Sequence, residues 1–489
     1  MATTLEAAFD LYIGGKELPG STGEHRTLLD PASNEPLARA AVGSRDDAHA
    51  AMEAADRAFR ESNWAADDGA RRAKALWKLA ALLEANADAF ARLETLNQGK
   101  PLREARGDIG YVVRTFEYFG GLADKLEGET ISVPGARFDY TLREPLGATV
   151  HIAPWNYPLL LAMRSVAPAL AAGNSVVLKP ASLTPLTAVA LARLAKEAGI
   201  PDGILNVVLG SGAEVGEALV QDARCRSVTF TGSGEVGSRL ALLAASRLLP
   251  TTLELGGKGP VIVLPDADVD RAAKAIGYGI FGNAGQMCWA ASRLLVHESL
   301  REPLVEKVRA IAEKLKLGPG VQEGVEMGPL VSREQADHVL EYVEDARSSG
   351  GKVLAGGDRP SDTALRAGNF VRPTVLTDVP VTSRAVREEI FGPVLCVVRA
   401  PSLGEAIRIA NRSRFGNAAA IFTRDGGAAR QFVHEIEAGM LGVNIGVPAP
   451  AAYFPFAGWK GSFFGDLHAT GRDAVEFYTR KKVVTTRWF

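Results

Sequence analysis

The sequence has few cysteines, and they lack the spacing of a disulfide-linked or zinc-binding protein. Only three occur among 489 residues: Cys225, Cys288 and Cys396. Their number is odd and no CxxC pair is present, so neither a disulfide framework nor a metal site is predicted. This pattern favours a protein of the reducing cytoplasm that holds no metal.

Strong charge of one sign and long apolar runs are also missing. The formal net charge is −2, which creates no long-range attraction for nucleic acid or for an anionic membrane. No apolar run reaches membrane-spanning length, and the N-terminal residues lack the basic start and apolar centre of a signal peptide. We therefore expect neither nucleic acid nor a membrane as a partner.

The length and patterning of the chain predict several α/β units. With 489 residues, of which 47 % are hydrophobic, two or three globular domains with clefts between them are expected. Residues 44–126 predict amphipathic helices, the first capped by Ser44. From Gly147 short apolar strands alternate with helices, which predicts a doubly wound parallel sheet. The same alternation restarts near Gly257 and predicts a second α/β domain.

Two segments lie outside this alternation. Residues 131–145, ISVPGARFDYTLREP, predict a β-ribbon, and residues 481–489, KKVVTTRWF, predict one further strand with no obvious neighbour. An isolated ribbon is marginally stable and exposes unpaired edges. We therefore expect these segments to associate across the subunits of a homo-oligomer.

A glycine-rich segment follows the strand RSVTFT. It reads GSGEVG at residues 232–237 and runs into an amphipathic helix. Glycines let backbone N–H groups approach a phosphate, and the start of a helix favours negative charge. The segment predicts a dinucleotide site, with a tight turn of an ordinary α/β protein as the alternative.

A second cofactor signal lies where the strand SVVLK ends at Lys179, three residues before Ser182. Many NAD-binding sheets have an acid here that binds the adenosine ribose. Lys179 and Ser182 could instead accept the 2′-phosphate of NADP, by charge and by a hydrogen bond. The alternative is a surface lysine at the end of a strand.

Three residues are candidates for the chemistry. Cys288 lies in GNAGQMC between a helix and a strand, which predicts a loop position, although most lone cysteines are inert and buried. Glu254 lies in an apolar strand, where burial would raise the pKa of a general base, with a structural ion pair as the alternative. Asn156 precedes a helix and could donate to an oxyanion or cap the helix.

The order of six motifs, PWNYP, LKPAS, FTGSGEVG, LELGGK, GQMC and EEIFGP, resembles the aldehyde dehydrogenase family. The resemblance spans nearly the whole chain and implies an α/β fold of three parts. These are a doubly wound parallel-sheet cofactor domain (1–125 and 146–256), an α/β catalytic domain (257–468) and a small β oligomerisation ribbon (126–145 and 469–489). It also implies a homodimer or homotetramer.

The resemblance implies oxidation of an aldehyde to a carboxylic acid with NAD or NADP. Cys288 would be the nucleophile, Glu254 would activate the water that hydrolyses the thioester, and Asn156 would donate to the oxyanion. The residues implied to bind the cofactor are Trp155, Lys179, Ser182, Gly232, Ser233, Val236, Leu255, Glu389 and Phe391.

Departures from the family pattern bear on the cofactor and the product. Members strict for NAD often have glutamate where this chain has Ser182, so use of both cofactors is expected. The stretch FPFAGWKGSFFGDLHATGRDAVEFYTR resembles methylmalonate-semialdehyde dehydrogenases, which transfer the acyl group to coenzyme A. That branch lacks an acid equivalent to Glu254 and usually has arginine where this chain has Met287. A coenzyme A-acylating enzyme and a non-catalytic relative are the alternative functions.

The substrate signals conflict. Arg164 lies where succinate-semialdehyde dehydrogenases bind a substrate carboxylate, but Gly282 replaces their second arginine, and a structural salt bridge is the alternative. YFGGLADKLEGETI and PWNYPLLLAM resemble betaine and aminoaldehyde dehydrogenases. Tyr157, Trp289 and Phe456 are expected to add aromatic walls that favour an apolar or aromatic aldehyde.

Overall fold

The structure is a computed structural model that describes residues 8–66, 68–448 and 452–488. The final residue of the predicted terminal strand, Phe489, and the first seven residues lie outside these ranges. The helices are α1 (Arg45–Glu61), α2 (Gly69–Ala85), α3 (Ala87–Gln98), α4 (Leu102–Leu122), α5 (Pro158–Ala171), α6 (Leu186–Ala198), α7 (Glu217–Gln221), α8 (Gly234–Ala245), α9 (Val269–Phe281), α10 (Glu298–Lys314), α11 (Arg333–Ser348), α12 (Arg384–Arg387), α13 (Leu403–Asn411), α14 (Gly426–Glu435) and α15 (Gly471–Phe477).

The strands are β1 (Ala8–Phe9), β2 (Leu11–Ile13), β3 (Lys16–Leu18), β4 (His25–Leu29), β5 (Pro36–Ala41), β6 (Thr130–Ile131), β7 (Arg137–Pro145), β8 (Ala148–Ile152), β9 (Ser175–Lys179), β10 (Leu205–Val207), β11 (Cys225–Thr231), β12 (Thr251–Glu254), β13 (Pro260–Val263), β14 (Arg293–Val296), β15 (Lys352–Ala355), β16 (Thr374–Thr377), β17 (Val394–Arg399), β18 (Phe415–Gly416), β19 (Ala418–Phe422), β20 (Met440–Val443), β21 (Trp459–Lys460), β22 (Phe463–Phe464) and β23 (Thr479–Arg487).

The predicted helices of residues 44–126 are present as α1 to α4. Ser44 caps α1 as predicted, because its side chain accepts hydrogen bonds from the backbone N–H groups of Asp46 and Asp47. The carboxylate of Asp47 accepts in return from the Ser44 backbone N–H, at 2.8 Å, and completes a capping box. No helix in the described ranges is both long and apolar enough to cross a membrane.

An eight-stranded sheet contains the first predicted α/β unit. Its order is β22-β12-β11-β8-β9-β10-β2-β3, and the five strands from β12 to β10 are parallel. The chain adds β9 and β10 on one side of β8, and then places β11 and β12 on its other side. This reversal of strand order is the pattern of a doubly wound sheet, which confirms the predicted fold class.

The second predicted α/β unit forms a seven-stranded sheet. Its order is β15-β16-β17-β14-β13-β19-β20, parallel except for β15. Buried hydrophobic residues form two large clusters, one dominated by residues up to Leu255 and the other beginning at Val261. The segment LGG at 255–257 therefore connects two packed cores.

The ribbon contradicts one prediction. The terminal strand β23 has a neighbour in its own chain: it pairs with β7 antiparallel, from Thr479 opposite Pro145 to Arg487 opposite Arg137. Residues of both strands are mostly exposed or half-buried, so no buried face in the sequence indicates which segment pairs with which. The sheet order β23-β7-β6 leaves β23 at an edge, where Val483 is exposed.

Candidate active site

The reversal of strand order in the eight-stranded sheet creates the central cavity. The carboxyl ends of the adjacent strands β8 and β11 lie side by side, and ligands of doubly wound sheets bind at such a switch point. A cavity of about 280 Å³ opens there. Eight residues predicted from the sequence line it: Trp155, Asn156, Gly232, Ser233, Leu255, Cys288, Glu389 and Phe391.

The glycine-rich segment has the predicted strand-turn-helix context. Strand β11 ends at Thr231 and α8 begins at Gly234, with the Ser233 hydroxyl accepting a hydrogen bond from the Val236 N–H at 3.3 Å. A Cβ atom on Gly232 would lie 2.5 Å from the Phe230 ring, so this turn needs glycine. The backbone at the start of α8 is therefore open to an anion such as a pyrophosphate.

Ser182 and Lys179, the residues predicted to bind the adenosine part of the cofactor, differ in exposure: Ser182 lines a cavity and Lys179 is buried. Ser182 lines a second cavity of about 120 Å³, together with Arg26 and Ser211, and its hydroxyl donates to the Gly210 carbonyl at 2.7 Å. Lys179 is buried, which contradicts the alternative of a surface lysine. Its ammonium group donates to the Pro180 carbonyl at 3.1 Å, and burial lowers the pKa of Lys179 to about 8.

Two aromatic rings and an acid line the central cavity. Trp155 and Phe391 meet edge to face, with ring centroids 5.1 Å apart. Phe391 has a left-handed backbone (φ 55°), which is rare for a bulky residue, and its carbonyl accepts from the Gln335 amide at 2.9 Å. Glu389 accepts from the Gly257 N–H at 2.8 Å, and burial raises the pKa of Glu389 to about 7.

Two glycines let separate parts of the site approach each other. A Cβ atom on Gly256 would lie 2.3 Å from a carboxylate oxygen of Glu389, and one on Gly257 would lie 1.8 Å from the carbonyl oxygen of Cys288. Both distances are too short for any side chain. The segment LELGGK therefore determines how closely the cysteine loop and the EEIFGP segment approach β12.

Cys288 occupies the loop predicted for it. It follows a short 3₁₀ turn (Gly282–Gly285) and is half-buried at the cavity wall, whereas Cys225 and Cys396 are buried. Burial raises the pKa of the Cys288 thiol to about 12, against the opposing effects of the Arg164 charge and a hydrogen bond with Asn417.

Asn156 contacts the cysteine loop and does not cap a helix. The side-chain amide of Asn156 donates to the backbone carbonyl of Gln286 at 2.9 Å. The backbone carbonyl of Asn156 accepts from the side-chain amide of Asn283, also at 2.9 Å. Helix α5 begins without a side-chain cap, so the alternative of a helix cap is wrong. Since the amide nitrogen has two hydrogens, the bond to Gln286 leaves one for a ligand in the cavity.

Glu254, the last residue of β12, forms a buried ion pair with Arg164 of α5. A structural salt bridge was the alternative predicted separately for Glu254 and for Arg164. That salt bridge is present, and each residue is the partner of the other. Burial raises the pKa of Glu254, and the Arg164 charge opposes that rise.

The predicted aromatic residues belong to, or pack against, the same hydrophobic cluster as the cysteine. Tyr157, Trp289 and Cys288 pack against the hydrophobic cluster that contains Phe456. The Phe456 ring lies 4.5 Å from the Arg164 guanidinium carbon. Their role as walls of a substrate tunnel stays a prediction.

Sequence reasoning missed several residues of the site. Asn417 at the cysteine, and Gln335 and His338 at the cavity wall, belong to none of the six motifs. Glu104 of α4 accepts from the Asn283 N–H at 2.9 Å and so anchors the cysteine loop. Only the folded chain brings these residues to the site, and no local pattern marks them.

In a comparison with known protein families, residues 19–484 match the sequence model of the aldehyde dehydrogenase family. The chain belongs to this family. Malonate-semialdehyde dehydrogenase 2 of Geobacillus kaustophilus is 40 % identical over 479 residues, which are 98 % of each chain. The structure of an aldehyde dehydrogenase from Bacillus cereus in complex with NAD+ has a TM-score of 0.95 at 38 % identity, and the match covers 99 % of this chain and 97 % of that one.

Betaine aldehyde dehydrogenase from Staphylococcus aureus, also solved with NAD+, matches with a TM-score of 0.95 at 36 % identity over 98 % of this chain and 94 % of that one. This aldehyde dehydrogenase is thus an oxidoreductase that acts on aldehydes with NAD(P).

The raised pKa of Cys288 predicts the pH dependence of its alkylation. Only the thiolate reacts with iodoacetamide, so for a pKa of about 12 the rate rises roughly tenfold per pH unit between pH 7 and pH 10. Mass spectrometry of the labelled protein measures this rate, with Cys225 and Cys396 as unlabelled internal controls. A rate that levels off near pH 8 would contradict the environment described for the thiol.

Proposed function

We propose that this aldehyde dehydrogenase converts an aldehyde to a carboxylic acid through a thioester on Cys288, which water activated by Glu254 hydrolyses. The observation that carries the proposal is that Cys288 and Asn156 line the same cavity as Gly232, Glu389 and Phe391. A nucleophile, an amide donor and the candidate cofactor residues therefore lie around one space.

The residues of the cavity fit a dinucleotide cofactor. The turn at Gly232 and Ser233 presents the start of α8 to a pyrophosphate, and the pocket at Ser182 would take the adenosine ribose. Glu389 would bind the nicotinamide ribose, and the rings of Trp155 and Phe391 would hold the nicotinamide. When bound, the cofactor supplies the ring that accepts hydride from the substrate carbon.

In the first half of the reaction the Cys288 thiolate attacks the aldehyde carbonyl and forms a C–S bond. The amide of Asn156, with the backbone N–H of Cys288, donates hydrogen bonds to the resulting oxyanion. Loss of hydride from that carbon restores the carbonyl and leaves an acyl thioester on Cys288.

In the second half Glu254 accepts a proton from water as the water attacks the thioester carbonyl. The C–S bond breaks, the carboxylic acid leaves, and the Cys288 sulfur departs as a thiolate. Glu254 must be ionised for this step, and the positive charge of Arg164 favours its ionised form.

Replacing the acid tests this mechanism. We expect Glu254→Gln to release one reduced cofactor per active site and then to turn over about 10²- to 10⁴-fold more slowly, because the amide cannot accept a proton from water. Cys288→Ala should show neither the initial release of reduced cofactor nor the slow turnover, since no thioester forms. Stopped-flow absorbance of the reduced nicotinamide measures both, and free turnover by Glu254→Gln would exclude this acid as the base.

Transfer of the acyl group to coenzyme A is the second candidate, favoured by the likeness to a malonate-semialdehyde dehydrogenase and by the C-terminal stretch. Product analysis with coenzyme A present separates the two. Free acid as the sole product supports hydrolysis, and acyl-coenzyme A as the main product supports transfer.

The substrate is proposed at the level of a class: a small aldehyde with an apolar or aromatic chain, since Tyr157, Trp289 and Cys288 pack against the hydrophobic cluster that contains Phe456. A steady-state screen of aliphatic, aromatic, amino and carboxylated aldehydes with each cofactor would define it. We further propose that both NAD and NADP are used and that the protein acts in the cytoplasm, where its thiols stay reduced.

The cofactor proposal depends on Ser182. We expect Ser182→Glu to lower kcat/KM for NADP by about tenfold or more, because a carboxylate near the 2′-phosphate repels it. Ser182→Gln, of similar size but uncharged, is the matched control, and NAD kinetics should change much less in both variants. Unchanged NADP kinetics in Ser182→Glu would remove this residue from the adenosine site.

We also propose that the enzyme is a homodimer or homotetramer and that residues 126–145 and 469–489 form its oligomerisation ribbon, beside a cofactor domain (1–125 and 146–256) and a catalytic domain (257–468). The edge position of β23 and the exposed side chains of Phe138, Leu142 and Val483 support this. Such apolar residues on an open strand favour pairing with another chain.

A charged substitution on β23 tests whether the ribbon forms the subunit interface. Val483→Asp should shift the mass in solution toward the monomer, because it places an ion in the proposed apolar contact. Val433→Asp, at an exposed apolar position on α14, is the control and should leave the mass unchanged. Mass photometry measures both, and an unshifted oligomer in Val483→Asp would place the interface elsewhere.

A further inference from the structure

We propose that Arg164 is the positioning residue of the hydrolytic step: it holds one carboxylate oxygen of Glu254 and leaves the other oxygen for the water. The proposal rests on the function proposed for Glu254. It assigns Arg164 to the enzyme's own acid and not to the substrate.

The contacts of the pair are asymmetric. Arg164 donates from one terminal nitrogen to Oε2 of Glu254. Oε1 of Glu254 is buried and has no hydrogen-bond partner among the described residues. An unpaired buried carboxylate oxygen is costly, so this oxygen is the natural acceptor for a water molecule.

Arg164 is itself held in place. The same terminal nitrogen lies 3.3 Å from the Thr231 hydroxyl, and the Phe456 ring lies 4.5 Å from the guanidinium carbon. Arg164 is 7 % exposed and Glu254 is 4 % exposed. Because Thr231 and Phe456 hold the guanidinium group, its ion pair with Glu254 fixes the direction of the carboxylate as well.

Burial alone would keep a carboxyl group protonated, and a protonated acid cannot act as a base. Arg164 supplies the nearby cation that keeps Glu254 ionised, and His468, which bonds to Asp473 at 2.8 Å, is the second basic group facing it. Tyr478 and Cys288 face the same acid and add no positive charge.

The competing role for Arg164 is to bind a carboxylate on the substrate. Glu254 and Thr231 both contact one terminal nitrogen of the guanidinium group, whereas its buried Nε has no hydrogen-bond partner among the described residues. A substrate carboxylate bound there would compete with Glu254 for the same positive charge. The two roles differ in what they predict for an uncharged aldehyde, which offers Arg164 nothing to bind.

The experiment compares Arg164→Met with Arg164→Lys on a neutral and on a carboxylated aldehyde. With Arg164→Met we expect the first equivalent of reduced cofactor to form, followed by steady-state turnover at least about tenfold slower for both aldehydes. Loss of the cation raises the pKa of Glu254, so the acidic limb of the kcat profile moves to higher pH by about one unit or more. Arg164→Lys keeps the charge and should restore the profile toward that of the wild type.

Two further variants make the test specific. In Glu254→Gln, adding Arg164→Met should change hydrolysis little, because the residue through which Arg164 acts is already absent. A rise in KM for the carboxylated aldehyde alone, with kcat and its pH profile unchanged, would overturn the proposal and assign Arg164 to the substrate.

The remaining outcomes are also decisive. If Arg164→Met does not fold, Arg164→Gln, which also removes the charge, decides: a kcat profile displaced toward higher pH supports the proposal, and an unchanged profile with a raised KM for the carboxylated aldehyde overturns it. If Glu254→Gln turns over freely, the proposed function of Glu254 fails, and the failure is separate from any result with Arg164.

Discussion

The close approach of three chain segments at Gly256 and Gly257 is the constraint on which the active site depends. These residues follow the strand that carries Glu254, and their missing side chains admit the Glu389 carboxylate and the Cys288 carbonyl. A methyl group at either position would overlap one of them, so the separation of the acid, the cysteine and the EEIFGP segment is set by backbone contact. The same segment joins the two hydrophobic cores, and movement of one core relative to the other would alter the catalytic distances.

Burial has the same electrostatic consequence for three acidic groups of this site. It raises the pKa of Cys288, Glu254 and Glu389, and thereby favours their neutral forms. Arg164 lies within electrostatic reach of both Cys288 and Glu254 and favours the ionised form of each. One buried cation therefore supports both the nucleophile and the acid, which act in successive halves of the proposed reaction.

Local patterns were sufficient to predict much of the fold and part of the site. The glycine-rich turn after β11, the loop position of Cys288 and the alternation of strands and helices each follow from a few adjacent residues. Contacts between distant segments were not predictable. Strand β23 pairs with β7 across more than 300 residues. Asn417, the residue before β19, hydrogen-bonds with Cys288, and β19 lies in the seven-stranded sheet because it pairs with β13. Burial of Lys179 was missed for the same reason, because exposure depends on what packs above a residue.

The pairing of β23 with β7 has a consequence for the order in which the protein can form. Strand β7 is translated more than 300 residues before β23, the neighbour with which it pairs. Until then β7 has only β6 beside it, and Asn174 lacks the Tyr478 carbonyl to which its amide donates at 2.9 Å. A nascent chain therefore carries an incomplete ribbon next to its eight-stranded sheet until β23 has been translated.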